Sequence, residues 1–290
     1  MAEQEPDGSP LWGRLFQAVS KLGVGVSLLT ALLVYFGWVR AGAQAREMGL
    51  DANLFGYTTQ DYLLLSIGSL YVQLLWIAVA VLGGIWLDRR LRERVEARAR
   101  RSGSAPVARW ARRGTWFFIG LAVAVRLLGG AVPEEEAWVI PFAMALCVLA
   151  AAWAAGLRRR VTARDERPTA PERPLLRSFA LLSVVALLVF WGTSSVAEAM
   201  GRALAHDLEE ELGTMPRTVV YSEKPLHIGL PGVRAEELGG PDDPLHRYDG
   251  LRLLTLRGGR YFLLPEQWTV AGSTVLVLPD DNSVRLEYSR

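Results

Sequence analysis

The residues of this chain most suited to a chemical role are charged residues that lie inside or beside apolar stretches. Arg126 lies eleven positions after Thr115 in an apolar stretch. In a helix rising about 1.5 Å per residue, this spacing predicts a depth of about 16 Å, near the midplane of a bilayer. A midplane arginine is costly unless it is paired or hydrated. We therefore predict either a structural ion pair, with Glu134–Glu136, Asp61 or Glu198 as partner, or an anion-selective or gating charge in a pore. The remaining alternative is that the span is placed wrongly and Arg126 is not at the midplane.

A second group of charges follows the first apolar stretch. These candidate site residues are Arg40, Arg46, Asp51 and Asp61, with Glu198 further along the chain. Charges at a membrane interface need partners or water. The structural interpretation is an outer cap held by ion pairs, and the functional one is a site where a ligand or ion enters. Thr58 and Asp61 also form a T-x-x-D capping box, which predicts the start of a helix.

Catalytic and metal-binding patterns are absent from the sequence. The three histidines, His206, His227 and His246, are not at metal-ligand spacing. Ser194 and Ser195 lack a GxSxG elbow, and there is no Walker or Rossmann motif. We predict a protein that is not an enzyme and that has no cofactor and no metal.

Five apolar stretches, each about as long as a bilayer is thick, divide the chain. The composition is 51% hydrophobic over 290 residues, and about 20 apolar residues of helix cross a hydrocarbon core. We predict an α-helical bundle of five transmembrane spans. The spans are Leu22–Val39, Tyr62–Leu87, Thr115–Val132, Ala137–Leu157 and Phe179–Ala197.

Two arginine-rich connections predict the orientation. Residues 88–113 hold ten arginines and residues 158–177 hold seven, whereas residues 133–136 hold three glutamates. Because positive loops stay on the cytoplasmic side, we expect a cytoplasmic N-terminus and an extracytoplasmic C-terminus in a plasma membrane. No cleavable signal peptide is evident, so we expect span one to remain as a signal anchor. The arginines fit contact with anionic lipid better than binding of nucleic acid.

The predicted domains follow these boundaries. Residues 1–21 are a disordered N-terminus and an amphipathic interfacial helix, the alternative being the cytoplasmic start of span one. Residues 22–197 are the spans, residues 198–213 a helical stalk continuing span five, and residues 214–290 a small, mainly-β extracytoplasmic domain. The stalk carries an apolar stripe that predicts either self-association, making a homo-oligomer, or packing on the β domain. The stripe is Val196, Met200, Leu204, Leu208 and Leu212.

Short apolar runs and turn residues predict five or six strands in the last domain, as a twisted sheet or partly open barrel. Thr218–Tyr221 and Leu226–Ile228 are two of them. Arg257–Arg260 predicts one hairpin turn and Pro279–Asn282 a second. The one cysteine, Cys147, lies in span four and predicts a small buried residue rather than a disulfide.

Four segments resemble an uncharacterised family of actinobacterial multi-span membrane proteins. The resemblance implies a prokaryotic plasma membrane and an outer C-terminal domain, and it supplies no activity or catalytic residues. The segments are Tyr35–Arg40 (YFGWVR), Gly56–Leu64 (GYTTQDYLL), Val219–Lys224 (VVYSEK) and Tyr261–Glu266 (YFLLPE).

Three functions follow as hypotheses. The first is a non-enzymatic membrane protein whose outer β domain binds or senses a surface ligand or protein partner. The second is a homo-oligomeric ion channel or transport pore that uses the outer charges and Arg126. The third is an accessory subunit of a larger complex.

Overall fold

Long helices come first in the chain and antiparallel strands follow. The computed structural model describes residues 10–102, 104–133, 136–162, 174–240, 243–272 and 274–289, so residues 1–9 of the predicted disordered N-terminus lie outside it. The helices are α1 (Pro10–Glu47), α2 (Thr59–Ser102), α3 (Ser104–Leu128), α4 (Val139–Thr162) and α5 (Pro174–Glu211). The strands are β1 (Arg217–Ser222), β2 (Arg234–Gly240), β3 (Asp243–Arg257), β4 (Arg260–Pro265), β5 (Leu276–Pro279) and β6 (Val284–Ser289).

Four of the described helical segments are long and apolar enough to cross a membrane. The sequence predicts five. They are Gly25–Glu47, Pro106–Ala131, Val139–Arg159 and Leu175–Thr214. A fifth is counted if the bent pair Thr59–Gly68 and Gln73–Val95, both within α2, is one span. The fold is therefore an apolar helical region with four to five candidate spans, followed by an antiparallel β domain.

The described chain forms two compact units. One contains the chain up to Ile67 together with the chain from Gly201 onward, and the other contains Gly68–Met200. We call them the sheet unit and the helical unit. The predicted boundaries at 22 and 197 do not anticipate this division, since α1 and the first turns of α2 belong with the β strands.

In the helical unit, small side chains let α3 and α4 approach closely. Ala111, Ala145, Ala151 and Ala154 are buried, and a Cβ on Gly114 would contact the Cβ of Ala154 at 3.9 Å. Small residues permit such close approach of apolar helices. The Trp153 indole also donates to Asp88 at 2.7 Å, while Cys147 is free and buried as predicted.

The sheet has the strand order β5-β4-β3-β1-β6, and β2 pairs with the first half of β3. The predicted β3–β4 hairpin is confirmed. Gly258 and Gly259 at its tip have φ of 56° and 68°, and two positive φ angles are what a type I′ turn needs. At Gly250, with φ 90°, a Cβ would lie only 2.2 Å from the oxygen of Gly232, so glycine is required there.

The predicted second hairpin is wrong. β5 pairs with β4, whereas β6 pairs with β1 at the other end of the strand order. Residues 280–283 connect the two strands, and the Asp281 carboxylate accepts from the Ser283 amide at 2.8 Å within this connection. A local turn signal cannot say which strand edge the chain joins next. Side chains of both end strands, including Leu278 and Leu286, pack on one hydrophobic cluster.

One further predicted strand is wrong, and one strand of the structure was not predicted. Leu226–Ile228 is not a strand, because His227 has a left-handed φ of 50° while Leu226 and Ile228 pack on the sheet. In contrast, β2 carries mostly exposed side chains, including Glu236 and Glu237. Glutamate and glycine have low β propensity, so β2 gives no signal in the sequence.

Candidate functional site

The sheet unit contains a junction where the end of α1 meets the β-sheet. Ala41 and Ala45 lie on one face of α1 at helical spacing, Met48 directly follows the helix, and all three are buried. Met48 belongs to a hydrophobic cluster with Leu264 and Trp268 of the sheet region. The β domain and the end of a candidate span therefore share one hydrophobic core.

A single turn of 3₁₀ helix, Ala52–Phe55, lies between α1 and α2 and packs against the sheet. The Asp51 carboxylate caps it by accepting from the Asn53 amide at 2.8 Å, and Gly56 ends it with a left-handed φ of 61°. Phe55 stacks on Phe262 of β4, with ring centroids 4.6 Å apart. Both rings are buried, so this turn is anchored in the sheet core.

The first turn of α2 is tied to the β3–β4 hairpin. The predicted capping box is confirmed, since Thr58 donates to Asp61 Oδ2 from its amide and its hydroxyl, each at 2.9 Å. The other carboxylate oxygen of Asp61 lies 3.1 Å from Nη1 of Arg257. One carboxylate therefore caps a helix and binds the sheet.

Tyr57 is half-buried at the junction. The Arg257 guanidinium lies over its ring at 5.0 Å from the centroid. Burial raises the pKa of the Tyr57 hydroxyl, and the positive charges of Arg257 and Arg40 partly offset this. The hydroxyl therefore remains protonated at neutral pH and keeps a hydrogen to donate.

The C-terminal end of α5 is hydrogen-bonded to the same sheet region. It extends to Glu211, followed by a 3₁₀ turn Leu212–Thr214, as the stalk prediction requires. The Val270 amide donates to Glu209 Oε2 at 2.9 Å. Arg252 donates to the carbonyls of Gly213 at 3.2 Å and Met215 at 2.6 Å, which are helix-end groups that need donors.

The stalk packs through leucines of its apolar stripe and through small residues beside them. Ala205 and Leu212 join the hydrophobic cluster with Met48, and Leu208 is half-buried against it. At Gly201, a Cβ would lie 2.3 Å from the Arg40 oxygen and 2.7 Å from the Ala43 Cβ. The sequence predicts that the stripe packs either on another subunit or on the β domain. The described contacts are with α1 and the β domain of the same chain.

A cavity of about 110 Å³ lies at this junction. Its apolar part comes from α1, Phe55 and β3, and its polar part comes from four half-buried side chains, Gln44, Tyr57, Thr255 and Arg257. The apolar lining residues are Ala41, Ala45, Met48, Phe55 and Leu254.

The structure brings three of the predicted site residues to this junction. Asp51 and Asp61 act as described above. Arg40 donates to the Leu65 carbonyl at 2.5 Å, and its Nε is buried without a partner in the described part of the chain. Arg46 lies on α1, where its guanidinium would contact a Cβ on Gly42 at 3.3 Å, and it takes part in further interactions.

Arg126 and Glu198 belong to the helical unit instead. Arg126 is exposed in the last turn of α3. The predicted midplane depth was counted from Thr115, but α3 begins at Ser104, and a cation is favoured at a helix C-terminus. No ion pair of Arg126 occurs among the described residues, which leave out Glu134 and Glu135. Glu198 takes part in interactions within the structure.

The sequence missed the residues of β3 and β4 that complete the junction. Arg257 was noted only as part of a hairpin turn, and Phe55 and Phe262 were not singled out. Each carries only a local signal, whereas the junction depends on contacts between residues about 200 positions apart.

Metal-binding groups and known relatives give no further assignment. Among the described residues, no group of three or more His, Cys, Asp or Glu side chains could hold a metal ion. No protein-family model, curated protein or solved structure matches the chain. The resemblance to actinobacterial membrane proteins therefore stays a prediction.

Proposed function

We propose that this chain is a non-enzymatic, multi-pass plasma-membrane protein whose extracytoplasmic β domain binds or senses a surface ligand or partner. The observation that carries the proposal is the junction. The candidate span Gly25–Glu47 and the β-sheet belong to one compact unit with a continuous core. A domain held in this way is fixed to its span rather than tethered by a linker, so an event on the sheet reaches the helix directly.

The apolar surface of the helices supports the membrane part of the proposal. Large apolar side chains are exposed along the candidate spans, for example Leu74, Trp76, Phe117, Leu182 and Leu187. Exposed apolar area of this extent needs an apolar surrounding. The arginine-rich connections support an orientation with the β domain outside, because positive loops stay on the cytoplasmic side.

The pore alternative has less support. Its outer charges are used within the chain, since Asp51 caps a turn, Asp61 binds Arg257 and Arg40 binds a carbonyl. Arg126 lies at a helix end. The native mass of the protein in nanodiscs tests this alternative, because a ring of four or more subunits would favour a pore.

Cysteine accessibility in intact cells tests the proposal. In a Cys147→Ser background, Glu223→Cys lies beside the sheet and Glu93→Cys lies on α2 within the arginine-rich connection, and both native glutamates are exposed. We expect a membrane-impermeant maleimide to label Glu223→Cys in intact cells and Glu93→Cys only after permeabilisation. The reverse pattern, or labelling of both sites without permeabilisation, would contradict the orientation.

A further inference from the structure

The lining of the junction cavity has more hydrogen-bond donors than it has acceptors bound to them. Among the described residues, the side chains of Gln44, Tyr57 and Thr255 make no hydrogen bond, and Arg257 makes only the one to Asp61. All four can donate, and Arg257 keeps further N–H groups after binding Asp61. Half-buried donors that line one cavity are free to bind an acceptor that enters it in place of water.

Arg257 gives the cavity lining a positive charge, and none of its lining residues is acidic. The positive charges of Arg257 and Arg40 act on Tyr57, while the nearby Asp61 acts on it in the opposite sense and is paired with Arg257. Guanidinium groups with hydroxyl and amide donors suit the oxygens of phosphate and carboxylate groups.

The volume limits the size of an occupant. A water occupies about 30 Å³ of liquid, and an engineered apolar cavity of about 150 Å³ holds benzene. The junction cavity, at about 110 Å³, has room for one small polar group, and the rest of any larger ligand would extend out of it. Its apolar floor, which includes Ala41, Ala45 and Leu254, leaves polar contact to the four donors.

We propose that the junction cavity binds a small oxyanionic group, a phosphate or a carboxylate, through Arg257, Tyr57, Thr255 and Gln44. The inference rests on the proposed function, because it names the ligand class of the same β domain. The group is either a free anion or the headgroup of a lipid next to α1. An occupant would contact α1, the 3₁₀ turn and β3 together, so its binding would stabilise the junction.

The test uses full-length protein in detergent and in nanodiscs. Calorimetry with inorganic phosphate and with acetate measures free anions. Native mass spectrometry after reconstitution with phosphatidylglycerol or phosphatidylcholine measures retained lipid. The test variant is Tyr57→Phe with Thr255→Val, which removes two hydroxyls while keeping shape and the Arg257 contact. The control is Tyr221→Phe, whose hydroxyl donates to Glu287 on β6.

We expect a free anion to bind, or phosphatidylglycerol to be retained over phosphatidylcholine. The double variant should weaken this about tenfold or more, as expected when two hydrogen bonds to a charged group are lost, and Tyr221→Phe should leave it unchanged. Binding of phosphate or acetate alone identifies a free anion, and retention of lipid alone identifies a headgroup. If neither binds, or if the double variant binds as well as the parent, the cavity holds only water and the proposal is wrong. This readout does not depend on orientation, so its failure is distinguishable from a reversed labelling pattern.

Discussion

Nη1 of Arg257 lies 3.1 Å from Oδ1 of Asp61, which joins the tip region of the β3–β4 hairpin to the first turn of α2. The same Arg257 covers the ring of Tyr57, and the same Asp61 caps its helix through Thr58. Arg257 is 39% exposed and Asp61 24%. The contact is therefore less important as a source of stability than as the link that couples the hairpin to the start of the helix.

Arg257→Gln tests this link. Loss of the cation over Tyr57 should cost about 0.5–1 kcal/mol at such a partly exposed site. If Asp61 is the partner, the cost of Arg257→Gln becomes smaller in an Asp61→Asn background, in which the amide oxygen can still cap α2. Thermal unfolding of the four proteins measures the difference.

A matched control is Arg247→Gln, which breaks ion pairs with Glu236 and Asp249 elsewhere on the sheet. Its effect should be the same in the parent protein and in the Asp61→Asn background. An effect of Arg257→Gln that is equally independent of the Asp61→Asn change would show that the pair does not couple the two elements.

Gly201→Ala tests the contact between α1 and α5. Alanine favours a helix by about 1 kcal/mol over glycine, so propensity alone predicts stabilisation. The added Cβ would lie 2.3 Å from the Arg40 oxygen, and such overpacking costs about 1–3 kcal/mol. We expect a net loss of stability in thermal unfolding. Gly213→Ala, where a Cβ meets no atom within 4 Å, should be close to neutral, and a stabilised Gly201→Ala would contradict the close packing.

Phe55→Ala tests the anchoring of the 3₁₀ turn in the sheet. Truncating a buried phenylalanine costs about 3–5 kcal/mol, and Phe55 is 5% exposed and stacked on Phe262. The neighbouring Leu54 is 37% exposed, so Leu54→Ala should change stability by about 0.5 kcal/mol or less. Limited proteolysis between α1 and α2 measures the opening of the turn. Equal cleavage of both variants would argue that the turn is not held by Phe262.

The difference between what the sequence predicts and what it misses is the difference between local and long-range contacts. The capping box at Thr58 and Asp61 and the turn at Gly258 and Gly259 depend on neighbouring residues, and both are confirmed. Long apolar stretches likewise give the helices. The pairing of β6 with β1 depends on which edge the folded sheet leaves open, and no local pattern records that.

The candidate site divides in the same way. Asp61 stands out in the sequence as a charge beside apolar residues, and it does lie at the junction. Its partner Arg257 is one of many arginines, and Tyr57 gives no periodic signal. Arg257, Tyr57 and Thr255 come together around one cavity only when β3 is folded.

Tyr261 and Asp280 provide a prediction for the sheet surface. The Tyr261 hydroxyl donates to Asp280 Oδ1 at 2.7 Å, and this bond raises the pKa of Tyr261 to about 12. Because that pKa lies above the ordinary value of about 10, the bond stabilises the fold at neutral pH and is lost as pH rises from about 10 to 12. Tyrosinate absorbance, taken as the difference from Tyr261→Phe, should show the high pKa. Asp280→Asn should lower it, whereas Asp281→Asn, which removes a carboxylate that binds Ser283 instead, should leave it high. A pKa near 10 in the parent protein would mean that the Tyr261–Asp280 bond does not form in solution.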